Sequence, residues 1–482
     1  MRLLLASSEV HPYSKTGGLA DMVGALAKSL ADGGHDVGIV TPLYRGILEK
    51  HSGITPMDYD LAVPLGDTRV RAGVMVRELG PRLRIYFVDQ REFFWRAGIY
   101  NEGGVDYPDN ADRFIFFSKA VVHLARYLPL QPEIVHCHDW QAGLVPLFIK
   151  HALWREGWGS APGTVLTIHN LAYQGVFGRA AYPLTNLPWD YFHPEGAEAH
   201  HQLNCLKAAI SFSDRITTVS PRYAREIMTE AFGCGLDGVL RRRRDVLTGI
   251  LNGVDTDEWD PARNPSLKHH YSAEDLSGKA EGKLDLQREL GLVVSPDVPL
   301  FGTITRLADQ KGVDILLAAL EEMLAAPMQF VLLGSGDPQL QAAYERLAAR
   351  YPRKVAARIG FNAGLAHRIE AGCDFYLMPS RFEPCGLNQM YSLIYGTIPI
   401  VRRTGGLDDS VVDARDDMES ANGIKFNEAN GPALARAIRK ALVLYADGDL
   451  LHRYRLNAMH RDFSWAPTRA AYLEVFEKAR RG

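Results

Sequence analysis

Lys15, Asp139, His169, Arg306, Lys311 and Glu383 are the side chains of this sequence best placed to do chemistry, because each follows an apolar run that reads as a buried strand. Two glycine loops accompany them, Lys15-Thr16-Gly17-Gly18-Leu19 and Arg403-Thr404-Gly405-Gly406-Leu407. Three fixed cations together with helix N-termini suit a polyanion such as a nucleoside diphosphate. The carboxylates and His169 suit a hydroxyl-rich group, whose OH groups need acceptors. A sugar nucleotide meets both requirements, and cations on its diphosphate would stabilise the leaving group. No nucleophile elbow, Walker loop or kinase motif set is present.

The elements that must position these groups are alternating strands and helices. Asp374–Pro379 is apolar and reads as a strand. The stretch Ser380–Val411 follows it, turns helical from about Gly386 to Tyr395, and is followed by a second apolar run at Thr397–Arg402. Glu383 is therefore expected on a loop at a strand's C-terminal end, where open α/β sheets bind ligands. Leu3–Ala6 reads as the first strand, Lys15–Gly18 as the entry to a helix ended by Gly33-Gly34, and His35–Thr41 as the next strand. This opening lacks G-x-G-x-x-G, which argues against a dinucleotide hydride carrier.

Short alternating runs from about Leu61 to Val88 suggest further strands, some of them antiparallel, and Gly98–Asp112 suggests a surface loop. Ile134–Cys137 and Thr164–Ile168 are strands that deliver His138-Asp139-Trp140 and His169-Asn170 to the edge carrying Lys15. His136 is expected to point away from His138. Arg241–Arg244 reads as a solvated run, Asn252-Gly253 as a tight turn, and residues 262–297 as a surface helix pair or linker before a second α/β lobe beginning at Val298. In that lobe Arg306 ends a strand and Lys311 begins a helix. The final segment, 466–482, is helical in pattern and is expected to pack back across the lobe junction.

Composition narrows the class. The 482 residues, 46% hydrophobic and 23% charged, fit a globular protein of two or three domains. A net charge of −3 gives no general footprint for nucleic acid or an anionic membrane. The five cysteines include no CxxC pair, so neither a disulfide framework nor a zinc site is indicated. Asp58-Tyr59-Asp60 and Asp255-Thr256-Asp257 resemble a metal-holding Asp-x-Asp, but no metal is assigned. The N-terminal apolar run is too short for a signal-peptide core and no stretch is long enough to span a bilayer, so a cytoplasmic location is expected.

Taken in order, KTGGLAD, HCHDW, TIHNLAYQG, LNGVDTDEWDP, TRLADQKG, SRFEPCGLNQ and RRTGGLDD run over nearly the full chain. The set resembles the family of bacterial glycogen synthases and plant starch synthases. The resemblance implies an α/β fold of GT-B type, with two doubly wound Rossmann-like lobes facing a deep cleft. Residues 1–247 plus the helix 466–482 would form the acceptor lobe, and 248–465 the donor lobe. It implies retaining, metal- and cofactor-free transfer of glucose from ADP-glucose to the 4-hydroxyl at the non-reducing end of an α-1,4-glucan.

Under the same resemblance Lys15, Arg306 and Lys311 hold the diphosphate, Glu383 sits at the glucose, and His169 and Asp139 contact or orient the sugar. Asp21 and Asn252 lie near the nucleoside. Gly17, Gly18, Cys385, Gly386, Leu387, Thr404 and Gly405 belong to the binding loops. Two departures stand out. Related retaining transferases carry Glu-x7-Glu, where this chain has Tyr391, which favours same-face attack over a covalent intermediate. Phe361 stands where the family's adenine-stacking tyrosine is expected, keeping the ring and losing the hydroxyl. Alternatives are a GT-B transferase using UDP-glucose or a small acceptor, a silent nucleotide or glucan binder, and a pyridoxal-dependent phosphorylase, for which no Schiff-base lysine stands out.

Overall fold

A computed structural model describes residues 1–480; Arg481 and Gly482, the end of the expected helix 466–482, lie outside the described residues. The chain divides into two compact units: Met1–Val219 with Ala224–Gly253 and Trp465–Gly482, and Ser220–Tyr223 with Val254–Ser464.

The first unit is built on a nine-stranded sheet. Its order is Leu247–Gly249, Arg215–Thr218, Gly163–Ile168, Ile134–His138, Arg2–Ala6, Asp36–Pro42, Leu83–Asp89, Thr68–Gly80, Thr55–Leu65. The strands are parallel as far as Leu83–Asp89, and the last two are added antiparallel. The antiparallel pair accounts for the alternating pattern read near Leu61–Val88. The central strands are unbroken apolar runs because both faces are covered; Leu3, Leu4 and Leu5 are wholly buried. The helix Trp465–Arg480 belongs to this unit. Its Tyr472 and Phe476 are buried, Thr468 Oγ1 donates to the Leu251 carbonyl at 3.0 Å, and Arg469 donates to the Ser29 carbonyl at 2.9 Å.

The second unit has a six-stranded parallel sheet. Its order is Val355–Ile359, Gln329–Gly334, Leu300–Ile304, Phe375–Met378, Ile398–Arg402, Ile424–Phe426. In each sheet the strand order reverses beside the first strand of the unit. That happens between Arg2–Ala6 and Ile134–His138 in one and between Leu300–Ile304 and Phe375–Met378 in the other. The loops leaving such neighbours run apart and open a crevice at their C-terminal ends, the place where α/β sheets take ligands. Lys15 and Asp139 follow the first pair of strands; Arg306, Lys311 and Glu383 follow the second.

Residues 262–297 are not the surface linker their polarity suggests. The helix Ser277–Leu290 aims two lysines inward: Lys279 Nζ donates to the Ala371 carbonyl at 2.8 Å and to Thr397 Oγ1 at 2.6 Å, and Lys283 Nζ lies 2.8 Å from Asp374. Lys stems bury apolar length while their ammonium groups find buried acceptors, so charge-rich sequence can still be core. Desolvation pushes the Lys279 ammonium down to about 7. Asp374 collects Lys283, Arg455 at 2.7 Å and the Leu300 amide at 2.9 Å, tying this helix and the late helix Gly448–Met459 to the sheet. Replacing Asp374 with Ala leaves two buried cations without their carboxylate. It should lower stability by about 3–5 kcal/mol, read as an earlier urea midpoint in circular dichroism, whereas an exposed Asp447→Ala cap variant should lose only about 1 kcal/mol.

Candidate functional site

In the second unit the strand Phe375–Met378 ends in Pro379, and the loop Ser380–Leu387 leads to the short helix Asn388–Ile394, shorter than the expected Gly386–Tyr395. Glu383 lies on this loop and is buried. One of its oxygens, Oε2, accepts from Lys311 Nζ at 2.6 Å and from Ser380 Oγ at 3.0 Å. The sequence assigns Lys311 to a diphosphate; here its ammonium neutralises the buried carboxylate. It has two further N–H bonds to offer, and its side chain is one-fifth exposed. Arg306, two residues beyond the strand Leu300–Ile304, is exposed and makes no ion pair among the described residues.

The loop is fixed by the second glycine pair. Gly405 has φ +43°, and a Cβ there would lie 1.9 Å from the Glu383 carbonyl oxygen; a Cβ on Gly406 would lie 2.0 Å from the Cys385 oxygen. The Gly406 amide donates to the Glu383 and Pro384 carbonyls, each at 3.1 Å. Gly386, at φ +71°, makes the turn between Cys385 and Leu387, and Gln389 Nε2 bridges the Cys385 and Gly386 carbonyls to Ser410 Oγ. Thr404 and Cys385 are buried within this packing. Arg403, the counterpart of Lys15 by sequence, is held by Asp408 at 3.2 Å and Asp416 at 2.7 Å, beside the buried Lys425. This second loop is a clamp on residues 383–386.

The first glycine loop is built differently. A Cβ on Gly17 or Gly18 would meet nothing within 4 Å, and neither residue has positive φ. Neither protein packing nor backbone conformation requires glycine there. The Thr16 and Gly17 amides are already taken. Both donate to Glu9 Oε2, Thr16 Oγ1 donates to Glu9 Oε1 at 2.7 Å, and Tyr100 OH donates to the same oxygen at 2.7 Å. Glu9 escapes sequence reasoning because no motif spacing relates it to the loop it closes. Lys15 pairs with Asp21 at 2.7 Å, on the first turn of the helix Gly18–Asp32, with both side chains part exposed.

Across the same sheet edge, Asp139 leaves the strand Ile134–His138 at φ +54°, a conformation costly for a residue with a side chain. Its carboxylate holds the end of the neighbouring strand by accepting the His169 amide at 2.7 Å, and burial pushes the group up to about 7. His138 Nδ1 and His169 Nε2 are 3.0 Å apart. The expectation that His136 points away from His138 is wrong. Strand side chains repeat every two residues, so the two share a face, with ring centroids 4.1 Å apart.

The remaining positions separate clearly. Phe361, after the strand Val355–Ile359, is 90% exposed, an outlay of apolar surface that nothing in its unit uses. Asn252 belongs to the first unit, just past the strand Leu247–Gly249, and its Oδ1 is buried with no partner among the described residues. Tyr391, eight residues after Glu383, stacks on Trp259 at 3.6 Å between centroids and 1° between planes. Asp255 Oδ1 accepts the Asp257 and Glu258 amides in a turn. The arginine run is divided: Arg241 pairs with Asp237, Arg243 reaches the Ser213 carbonyl, and Arg244 faces Asp245.

Comparison with known proteins now bears on what these groups serve. A model of the starch synthase catalytic domain matches residues 2–242, and one of glycosyl transferases group 1 matches 298–443. Glycogen synthases from Anaeromyxobacter sp. (strain Fw109-5) and Myxococcus xanthus are 50% and 45% identical, each alignment covering 99% of both chains. The chain belongs to the glycogen synthase family.

The catalytic domain of starch synthase IV from Arabidopsis thaliana, solved bound to ADP and acarbose, superposes with a TM-score of 0.89 at 34% identity, over 100% of this chain and 99% of that one. Sucrose-phosphate synthase from Thermosynechococcus elongatus, 16% identical with a TM-score of 0.62 over 99% and 98% of the chains, shares the fold. Membership of the glycogen synthase family makes this chain a glycosyltransferase of GT-B fold, with a sheet of largely parallel strands in each unit. Among the described residues no helix is long and apolar enough to cross a membrane.

The two glycine pairs make a direct test of this geometry. Gly406→Ala must displace the Cys385 backbone and should lower the melting temperature by several degrees or prevent folding, whereas Gly17→Ala and Gly18→Ala should melt within about 2 °C of wild type. Loss of activity in the latter two, with unchanged melting, would then report ligand approach alone.

Proposed function

We propose that the chain transfers glucose from ADP-glucose to the 4-hydroxyl at the non-reducing end of an α-1,4-glucan, with retention of configuration and release of ADP. The observation that carries this reading is that the buried Glu383–Lys311 pair and the exposed Arg306, which makes no ion pair among the described residues, leave the same two neighbouring strands at one switch point. A nucleotide sugar carries one part that wants carboxylates and another that wants cations, in that proximity.

In this reading Arg306 and the remaining N–H groups of Lys311 take the diphosphate and stabilise the negative charge that grows as the glycosidic oxygen leaves. Glu383, held by Lys311 and Ser380, offers Oε1 to sugar hydroxyls and opposes the positive charge developing at the anomeric carbon. The exposed ring of Phe361 stacks on the base. Lys15, Asp21 and the open face of Gly17-Gly18 complete the phosphate and nucleoside contacts, with Asn252 near the nucleoside. Asp139 and His169 meet the sugar. Tyr391, occupied in stacking on Trp259, offers no second carboxylate for a covalent glycosyl intermediate. Attack on the same face, with the departing phosphate oxygen accepting the proton of the acceptor hydroxyl, therefore accounts for retention. Five cysteines without a disulfide among them fit a reducing cytoplasm.

Release of ADP with glycogen present, measured side by side for ADP-glucose and UDP-glucose, should favour ADP-glucose and deposit labelled glucose in polymer; a preference for UDP-glucose would overturn the donor assignment. Glu383→Ala should lose at least about 1,000-fold in kcat while its melting curve stays within a few degrees of wild type. Near-normal turnover would remove its role.

Phe361→Ala should raise the donor KM about tenfold, the worth of one stacking contact, with no change in melting. An unchanged KM would move the base elsewhere.

A further inference from the structure

The histidines of the first unit form a connected chain whose hydrogens can be placed. His136 Nε2 lies 2.6 Å from Thr167 Oγ1, Thr167 Oγ1 lies 2.6 Å from Thr217 Oγ1, and Thr217 Oγ1 donates to the Leu166 carbonyl at 3.2 Å. Thr217 has two acceptors in reach, so the direction is set at the other end: an N–H at His136 Nδ1 would be stranded, which puts the hydrogen on Nε2, donating to Thr167, with Thr167 donating to Thr217 and Thr217 to Leu166. His136 Nδ1 is then a bare acceptor, buried and without a partner among the described residues. The ring is closed in by Tyr472 and Phe476 of the C-terminal helix, with centroids at 5.5 and 5.3 Å.

His138 stacks on this ring and its Nε2 is likewise buried with no partner, while its Nδ1 meets His169 Nε2. Burial disfavours the charged form of all three imidazoles, so each carries a single N–H at neutral pH. Two arrangements are open to the His138–His169 contact. In one, His169 donates and His138 must leave its own N–H stranded at Nε2. In the other, His138 Nδ1–H donates, and only a bare nitrogen is stranded. A buried donor without an acceptor is the rarer and costlier defect.

We infer that His138 is a positioning residue: its Nδ1–H donates to His169 Nε2 and so fixes His169 as the Nδ1–H tautomer, a hydrogen-bond donor toward the sugar. His169 Nδ1 has no protein partner among the described residues, which leaves its N–H available to a hydroxyl oxygen of the transferred glucose. Asp139 sets the backbone of His169 through the amide, and His138 sets the ring; together they fix where that donor points. The inference rests on the reading of His169 as a sugar contact.

The test uses full-length protein labelled with 15N-histidine. Long-range proton–nitrogen correlation, with the His169 signals assigned through a His169→Gln variant, should show His169 protonated at Nδ1 in the wild type; protonation at Nε2 overturns the inference with no variant needed. His138→Asn keeps an N–H near the place of Nδ1. It should retain the Nδ1–H state of His169 and kcat within about threefold of wild type. His138→Leu removes the donor and should lower kcat about tenfold, the worth of one neutral hydrogen bond, with little change in donor KM and a mixture of His169 tautomers. Equal activity and an unchanged tautomer in His138→Leu would also overturn it. Full activity in His169→Gln would instead sink the sugar-contact reading, a result separable from the tautomer measurement.

Discussion

A carboxylate taken out of water must be met by donors, because the desolvation it suffers exceeds what a folded chain can spare. That requirement organises both sheet edges of this protein. Glu9 draws the Thr16 and Gly17 amides and the Tyr100 hydroxyl around itself, and so shapes the loop that presents Lys15. Asp139 binds the end of the neighbouring strand through the His169 amide. Glu383 takes Lys311 and Ser380, and Asp374 takes Lys283 and Arg455 beneath it. Each acid converts a flexible connection into one with a defined direction, and three of the four stand at the switch points where a parallel sheet opens toward a ligand.

The two glycine loops show how far a shared motif can diverge in physical role. Arg403–Leu407 uses its glycines to let one backbone touch another, with the Glu383 and Cys385 carbonyls where side chains would otherwise be. Its arginine is consumed by aspartates. Lys15–Leu19 uses its glycines for nothing within the protein, and its lysine sits at the surface paired with Asp21. One loop holds residues 383–386 in shape, and the other has open space at both of its glycines. The division follows from local environment: a loop wedged beside another loop must give up its Cβ atoms to packing, and a loop at an open edge has no such constraint.

The same contrast separates the parts of the site in stability. Glu383 and its clamp are buried and their cost is met by protein groups, so they belong to the folding unit. Arg306 and Phe361 are exposed, and Arg306 makes no ion pair among the described residues. Tyr391, eight residues after Glu383, is spent on packing through its stack on Trp259.

By itself the sequence determined the α/β class, the longer apolar strands, and the positions where loops with reactive side chains leave them; the three-residue edge strands Leu247–Gly249 and Ile424–Phe426 were not legible in it. What was legible follows from apolar runs and glycine punctuation, which act over a few residues. It also carried the family through its ordered motifs. Tertiary structure alone decided the partners. That Glu9 fills the amides of the first glycine loop, that Lys311 meets Glu383 72 residues further along the chain, and that the charged helix Ser277–Leu290 is core rather than linker all depend on contacts between distant segments. So does the placement of Thr167 beside His136, through which the hydrogens of the histidine chain are assigned. A residue's type fixes what it can donate or accept; only the fold fixes which of its possible partners it meets.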